Sequence, residues 1–365
     1  MKFICERNIL LKEISIAQEI IASKNVISIL SNIFLYTDND NLVIKATDMK
    51  VYFETRVPVT VIESGSATVF GDKFLGIINS APEGEIEFEC IENKIKIKIS
   101  SKKANFNLKS MAMSENFPEF PVANTDYFDF SIKDFKDMIN QTIFSVSDDE
   151  TRYNMLGIYL EKLDNKLVMV TTNGKRLAYI EKESNNITDF SGILIPPKIL
   201  NIITKRAGDE GLISISITEK TIFFRFGSYD LSSVLIEGTF PNYRKVIPED
   251  HTSSIVVNKN ELLGALKRVS LLVEQKAKRL FFGVKPGIME IYTEDGEIGE
   301  AREEIPCEYE GEEIVLALNY LYIEEPMKVI NDEKICINFT TPTKAITIVP
   351  VPETDFFYIV MPMHN

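Results

Sequence analysis

Leu167-Val-Met-Val-Thr-Thr-Asn-Gly-Lys-Arg-Leu177 reads as a strand running into a polar turn. Shifted back by 125 residues, it lies on Leu42-Val-Ile-Lys-Ala-Thr-Asp-Met-Lys-Val-Tyr52. Leu42 then meets Leu167, Thr47 meets Thr172, Asp48 meets Asn173 and Lys50 meets Lys175. The same offset pairs Leu10 and Ile14 with Phe135 and Ile139, Leu35 with Leu160, and Lys73-Phe74-Leu75 with Lys198-Ile199-Leu200. Phe117-Pro118-Glu119-Phe120 meets Phe240-Pro241-Asn242-Tyr243 at an offset of 123. Leu262 and Leu266 carry the Leu10 and Ile14 positions into a third, looser copy. Copies of about 120 residues are domain-sized, far longer than solenoid repeats. The expected domains are 1–122, 126–248 and 253–365, joined by polar linkers over 121–126 and 248–253.

A chain of 365 residues with 45% apolar content fits two or three folded domains. Its net charge of −14 opposes coating of nucleic acid by the surface as a whole, but leaves room for a basic strip on one face. Cys5, Cys90, Cys307 and Cys336 have no paired spacing, which points to reduced thiols in a cytoplasm rather than to a disulfide framework or zinc site. Charges at Lys2, Glu6 and Arg7 interrupt any signal-peptide apolar region. No apolar run approaches the ~18 residues of a membrane span. His251 and His364 are the two histidines, and neither has a neighbouring nucleophile. There is no Gly-rich phosphate loop and no His/Cys metal spacing, so neither catalysis nor a cofactor has support. Asp148-Asp149-Glu150 reads as a solvated loop.

Each copy reads as two rounds of strand, helix and three strands, an α+β arrangement. Copy one predicts strands over 2–6, 32–37, 42–47, 51–57 and 67–70, and a hairpin over 85–90 and 94–99. A helix over 9–22 buries Leu10, Ile14, Ala17 and Ile21, and a second over 72–80 takes Asp72 as its N-cap. Copy two predicts a helix carrying Phe135, Met138, Ile139 and Ile143, and another opened by Pro196-Pro197. Copy three predicts one carrying Leu262, Ala265, Leu266 and Val269.

Features shared by the copies report on fold; features peculiar to one copy are candidates for function. Thr47-Asp48-Met49-Lys50 becomes Thr172-Asn173-Gly174-Lys175-Arg176, where glycine admits positive φ. The turn reads either as a ligand site or as a solvated turn. Pro121-Val122 after the first Phe-Pro-x-aromatic turn becomes Arg244-Lys245-Val246 after the second. Phe356-Phe-Tyr-Ile-Val-Met-Pro-Met363 is strongly apolar, and Met361 and Met363 flank a proline that cannot donate to a ladder.

Met1-Lys-Phe with Glu6-Arg7, Thr151-Arg-Tyr153 before Leu156-Gly157, Thr172 to Leu177, Phe240-Pro-Asn-Tyr-Arg244 and Tyr358 to Met363 carry a resemblance. In that order, end to end, the chain resembles the bacterial DNA polymerase III β subunits, the replicative sliding clamps. The resemblance implies three DNA-clamp domains, no enzymatic activity, and a head-to-tail homodimer closing a six-domain ring around duplex DNA. Helices would line the hole and sheets the outside. Such a ring holds DNA without sequence specificity and tethers the replicative polymerase. The resemblance also implies a pocket for peptide motifs of the polymerase catalytic subunit, the clamp loader, and repair and translesion proteins. Its residues would be Arg152, Leu156, Thr172, Gly174, Lys175, Arg176, Leu177, Pro241, Arg244, Val246, Thr343, Ala345, Ile359, Met361 and Met363. Lys24, Tyr153, Lys198, Lys205, Arg206, Lys267 and Arg268 would face DNA. Lys73 and Ile77 would meet Leu271 and Leu272 across the ring closure, with Glu300, Glu303 or Glu304 as ion partners.

Departures from the family pattern are Lys175 where histidine is common, Asn154 where tyrosine is frequent, Asp149 where a neutral amide can face DNA, and the end His364-Asn365. Two other readings stand beside the clamp. One is a three-domain binding protein that does not encircle DNA; the other is an enzyme with a carboxylate-bound metal.

Overall fold

The computed structural model describes residues 1–21, 29–110, 116–184, 186–274, 276–296 and 299–363, with Ser100 lacking a described side chain. The chain runs through six rounds of strand, helix and three strands. Round one is β1 (Lys2–Glu6), α1 (Arg7–Ile20), β2 (Asn32–Asp38), β3 (Asn41–Thr47) and β4 (Val51–Pro58), with an added β5 (Thr60–Glu63). Round two is β6 (Ser66–Phe70), α2 (Gly71–Ser80), β7 (Glu85–Ile91), β8 (Lys94–Ile99) and β9 (Ala104–Lys109). Round three is β10 (Phe128–Ser131), α3 (Ile132–Asn140), β11 (Ile158–Leu163), β12 (Lys166–Thr172) and β13 (Arg176–Glu183). Round four is β14 (Ile193–Ile195), α4 (Pro197–Arg206), β15 (Leu212–Ile217), β16 (Thr221–Phe226) and β17 (Tyr229–Val234). Round five is β18 (Ser253–Asn258), α5 (Lys259–Val269), β19 (Arg279–Lys285), β20 (Ile288–Tyr292) and β21 (Arg302–Glu308). Round six is β22 (Ile314–Asn319), α6 (Tyr320–Met327), β23 (Lys334–Phe339), β24 (Ile346–Val351) and β25 (Phe356–Val360).

These rounds pack as two compact units whose limits do not follow the repeat. The first unit is Met1–Ile132 with Lys198–Leu235; the second is Lys133–Pro197 with Ile236–Asn365. The first holds a five-stranded sheet, β5-β1-β7-β8-β9, and an eight-stranded sheet, β10-β15-β16-β17-β4-β3-β2-β6. The second holds a twelve-stranded sheet, β14-β11-β12-β13-β25-β24-β23-β18-β21-β20-β19-β22. The middle repeat is thus shared out, because β17 pairs with β4 of repeat one and β13 with β25 of repeat three.

Helix ends follow local chemistry. Leu10, Ile14 and Ala17 of α1 are fully buried, as their spacing predicts; Ile21 lies just past the helix at its C-cap. α2 begins at Gly71, with Phe70 at the cap and no side-chain cap bond. Asp72 is therefore not the cap: it lies in the first turn, where a carboxylate favours the helix dipole. A Cβ on Gly71 would come 2.3 Å from Gln18 Oε1, so the start of α2 sits hard against α1. Pro197 opens α4 where its missing N–H is harmless. Asn258 caps α5 by accepting from the Asn260 and Glu261 amides. Ile143 falls in a separate 3-10 turn, Ile143–Ser145, beyond α3.

One buried carboxylate sets a pH response. Glu13 of α1 accepts from the Tyr229 hydroxyl at 2.8 Å, while its other oxygen is buried without a protein partner. Burial pushes the carboxyl above its usual range, and Tyr229, Lys12 and Arg206 only partly offset this. A raised folded pKa means the folded state holds this proton more tightly than the unfolded chain. The contribution is full below the unfolded carboxylate value and is lost as pH rises through the folded one. Glu13→Gln is expected to stabilise the protein at neutral pH and to flatten that decline. Urea melts at about pH 4 and about pH 8 check it; an unchanged difference between the two would rule it out.

Candidate functional site

The turn between β12 and β13 is held by its own side chains. Thr172 Oγ1 donates to Arg176 O at 2.6 Å and accepts from the Gly174 amide at 3.0 Å. Asn173 Oδ1 accepts from the Lys175 and Arg176 amides. Repeat one builds the same turn: Thr47 Oγ1 donates to Val51 O, and Asp48 Oδ1 accepts from the Lys50 and Val51 amides. The left-handed position is Gly174 at φ 84° in one and Met49 at φ 70° in the other. Glycine is therefore not required by the turn alone. A Cβ at 174 would lie 2.8 Å from Arg152 Nη1, whose guanidinium donates to Asn173 O at 3.1 Å. Gly174 is what lets Arg152 close over the turn.

Beside the turn lies an apolar cluster of Val168, Val170, Leu177, Tyr179, Leu194, Phe240, Tyr243 and Ile359. Tyr159, Ile236, Ile247, Ala345 and Phe357 pack against it. Leu177 and Ile359 face each other across the β13–β25 ladder and are each 2% exposed. Tyr159 stacks on Phe240 at 4.7 Å and Tyr179 on Phe357 at 4.5 Å. Glu161 at the rim accepts from the Tyr243 hydroxyl and from Arg244 at 2.6 Å. Tyr179 donates to Glu181 at 2.6 Å, and burial together with these carboxylates, Glu161 for Tyr243 and Glu181 for Tyr179, pushes both hydroxyls well above their usual pKa, so both stay donors. The exposed apolar surface here is Val246 at 51% and Met361 at 44%. The Met361 amide bonds to Lys175 O, which joins the last segment to the turn.

Of the expected pocket residues, the structure brings Leu177, Ile359 and Ala345 into the cluster. Arg152, Thr172, Gly174, Lys175 and Met361 gather at the turn. Pro241, Arg244 and Val246 lie on the segment that supplies Phe240 and Tyr243. Leu156 is half-buried after the 3-10 turn Tyr153–Met155, Thr343 is exposed, and the Met363 amide bonds to Ala317 O. Arg176 behaves differently. Adjacent strand residues point to opposite faces, and its guanidinium turns away from Leu177. There it pairs with Glu325, donates to Phe144 O and stacks 4.5 Å from the Tyr322 ring centroid. Burial opposes its charge, but Tyr358 and Glu325 more than offset that and raise its pKa. The residues missed from sequence are the aromatics Tyr159, Tyr179 and Phe357; the period-two spacing of Tyr179 with Leu177 was the available signal.

Most of the expected DNA-facing cations are engaged. Lys198 pairs with Asp48 at 2.6 Å and donates to Ile20 O; Lys205 pairs with Glu19 at 2.7 Å; Arg206 donates to Lys12 O. Arg268 forks onto Glu303, the carboxylate also expected to serve at a ring closure. Lys267 and Tyr153 are exposed. Lys24 lies outside the described residues, as do His364 and Asn365. Lys73 pairs with Asp72, Ile77 is half-buried, and Glu300 and Glu304 are exposed. Leu271, at 78% exposure, and Leu272 form the turn after α5. All four cysteines are unpaired; burial lifts Cys5 to about 12 and raises the other three, which keeps them as inert thiols. Among the described residues no group of three or more His, Cys, Asp or Glu could hold a metal ion, and no helix is long and apolar enough to cross a membrane.

Comparison with known proteins matches three family models along the chain. They are the DNA polymerase III beta subunit N-terminal domain over 1–121, the central domain over 129–242 and the C-terminal domain over 244–364. The beta sliding clamp of Treponema pallidum is 45% identical over the full length of both chains. The sliding clamp of Bacillus subtilis superposes with a TM-score of 0.93 at 26% identity, covering 100% of this chain and 99% of that one. The clamp of Pseudomonas aeruginosa gives 0.94 at 24% identity over all of both chains, a likeness of fold. The repeated rounds, the three domain models in order and the full-length relative agree: the chain belongs to the DNA polymerase III beta-subunit family, the non-catalytic sliding clamps of replication.

Proposed function

We propose that two copies close head-to-tail into a ring of six clamp domains around duplex DNA, with helices lining the hole and sheets outside. The observation that carries this reading is a rule of strand pairing obeyed twice. The last strand of one repeat pairs with the last strand of the first half of the repeat before it: β17 with β4, and β25 with β13. By that rule β9 should pair with β21. Among the described residues both have an unpaired side, β9 along its length and β21 from 302 to 306. Their charges are complementary. Lys94 to Lys109 holds six lysines and no acid, while Glu300 to Glu308 holds four glutamates and one arginine. Two copies satisfy both edges at once and close without loose ends.

Linkage rather than adhesion then retains DNA. Cations tied to Asp48, Glu19 and Glu303 grip phosphate weakly, and weak, sequence-independent contacts permit sliding. The ring serves in the cytoplasm as the moving anchor of the polymerase. Partner peptides of the polymerase, clamp loader, repair and translesion proteins dock on Val246 and Met361 over the Leu177–Ile359 floor. Each Leu or Phe anchor contributes about 1.5–3 kcal/mol, so two or three, less ordering costs, give exchangeable, roughly micromolar binding. The test is retention on DNA. Protein loaded onto a nicked circle is expected to stay through gel filtration and to be lost once the circle is cut. Equal retention before and after cutting would defeat the ring and leave a binding protein that does not encircle DNA.

A further inference from the structure

The first unit carries a register twin of the apolar cluster just described. On β3 and β4, Lys45 faces Glu54 and Thr47 faces Tyr52; on β12 and β13 the same places hold Val170 facing Tyr179 and Thr172 facing Leu177. Across the next ladder, Tyr52 faces Ser232 and Glu54 faces Asp230, where the second unit sets Leu177 against Ile359 and Tyr179 against Phe357. Phe117 and Phe120 stand where Phe240 and Tyr243 stand. The backbone frame is the same, but the side chains have been exchanged: Lys45 for Val170, Glu54 for Tyr179, Asp230 for Phe357 and Ser232 for Ile359.

Three of the exchanged side chains, Lys45, Glu54 and Asp230, join Arg56 and Arg225 in one chain of ion pairs. Lys45 meets Glu54 at 2.8 Å, Glu54 meets Arg56 at 2.8 Å, Arg56 meets Asp230 at 3.3 Å and Asp230 meets Arg225 at 2.7 Å. Two of the cations also lie over rings, Lys45 at 4.7 Å from Phe120 and Arg225 at 4.4 Å from Tyr127. The ladder lines a cavity of 520 Å³. Its water-facing members, with Arg225 side chain 57% exposed, would lose solvent under any apolar anchor. Stripping water from ions opposes binding more strongly than burial of one leucine favours it.

We infer that the Lys45–Glu54–Arg56–Asp230–Arg225 ladder is a specificity device that closes this twin to apolar peptides and holds each chain to one docked partner. The inference rests on the docking reading given above. It has a mechanical consequence for exchange: partners compete for one face per chain and cannot queue on a second. The residues that decide it are Lys45, Glu54 and Asp230, because these are the ion-pair members whose register counterparts, Val170, Tyr179 and Phe357, are apolar.

Calorimetric titration with a synthetic peptide bearing Leu and Phe anchors between polar residues tests it. The native chain should bind one equivalent, and Lys45→Val/Glu54→Tyr/Asp230→Phe should bind two. A photo-crosslinking form of the same peptide, used on the native chain, keeps the test independent of how that variant folds. Its crosslinks should fall around Val246 and Met361 and spare Tyr52 and Phe120. Crosslinks at Phe120, two equivalents on the native chain, or a cooperatively melting variant that still takes one, would each overturn the inference while leaving the docking reading intact. No binding to the native chain would overturn the docking reading and the inference with it.

Discussion

Arg176→Met is expected to destabilise the second unit by about 2–4 kcal/mol, the range for breaking a mostly buried pair reduced for one partly solvated partner. The Arg176 side chain is 8% exposed and ties β13 to two other elements. It pairs with Glu325 on α6, donates to Phe144 O in the turn Ile143–Ser145, and lies against Tyr322. Methionine fills part of the volume but strands the Glu325 carboxylate and the Phe144 carbonyl. Because β13 also presents Leu177 on its other face, loosening this clamp should weaken the proposed peptide docking without touching an anchor. Arg176→Lys should rescue little, since an ammonium cannot reproduce a planar fork aimed at a carboxylate and a carbonyl together. Urea unfolding followed on Tyr fluorescence reads the effect. A midpoint equivalent to less than about 0.5 kcal/mol of loss, the usual scatter of surface substitutions, would show that this cation is not structural.

Asn107→Pro should convert the proposed dimer to monomer and abolish the proposed retention on circular DNA while leaving the fold in place. The Ser110 amide bonds to Asn93 O, so alternate residues of β9 point their main chain toward β8. Asn105 and Asn107 therefore direct theirs to the free edge. Proline at 107 removes an outward donor and no β8 bond, which edge strands tolerate. On the opposing strand the Cys307 amide bonds to Gly287 O, so Arg302 and Glu304 offer their main chain outward. Leu271→Ala and Leu272→Ala should act more mildly. Loss of one leucine covered at the proposed closure, about 1.5–3 kcal/mol, is about ten- to a hundredfold in Kd. Sedimentation equilibrium separates the cases. An Asn107→Pro protein that remains dimeric at low concentration would exclude the β9–β21 pairing.

Strand alternation was the most legible part of the fold. The periods over 2–6 and 94–99 match β1 and β8 residue for residue, because one face is buried and the other is not. β5 and β9 went unread. β9 alternates, but Ala104, Phe106 and Leu108 are only half-buried on an edge, so the pattern carries less contrast. Asp72 has the chemistry of a cap, but contact with α1 starts the helix one residue earlier, at Gly71. At the candidate site, Leu177 and Ile359 stood out because one repeat differed from another there. Arg176 entered the expected pocket through the family resemblance, and no pattern in its own stretch told that its guanidinium lies beside Tyr322 and Glu325. Tyr159, Tyr179 and Phe357 were indistinguishable from ordinary core until the ladders set them side by side.

The segment copied in the sequence is not the segment that coheres. Repeat two gives β17 to one sheet and β13 to another, so excising it would tear two ladders and leave two raw edges, one on β4 and one on β25. Bare edges are sticky, so a shortened descendant would have to bring β25 against β4, the pairing its neighbours already make, before either edge met another chain. Backbone hydrogen bonding thus fixes which strands must meet, while the side chains laid over that frame differ from one copy to the next.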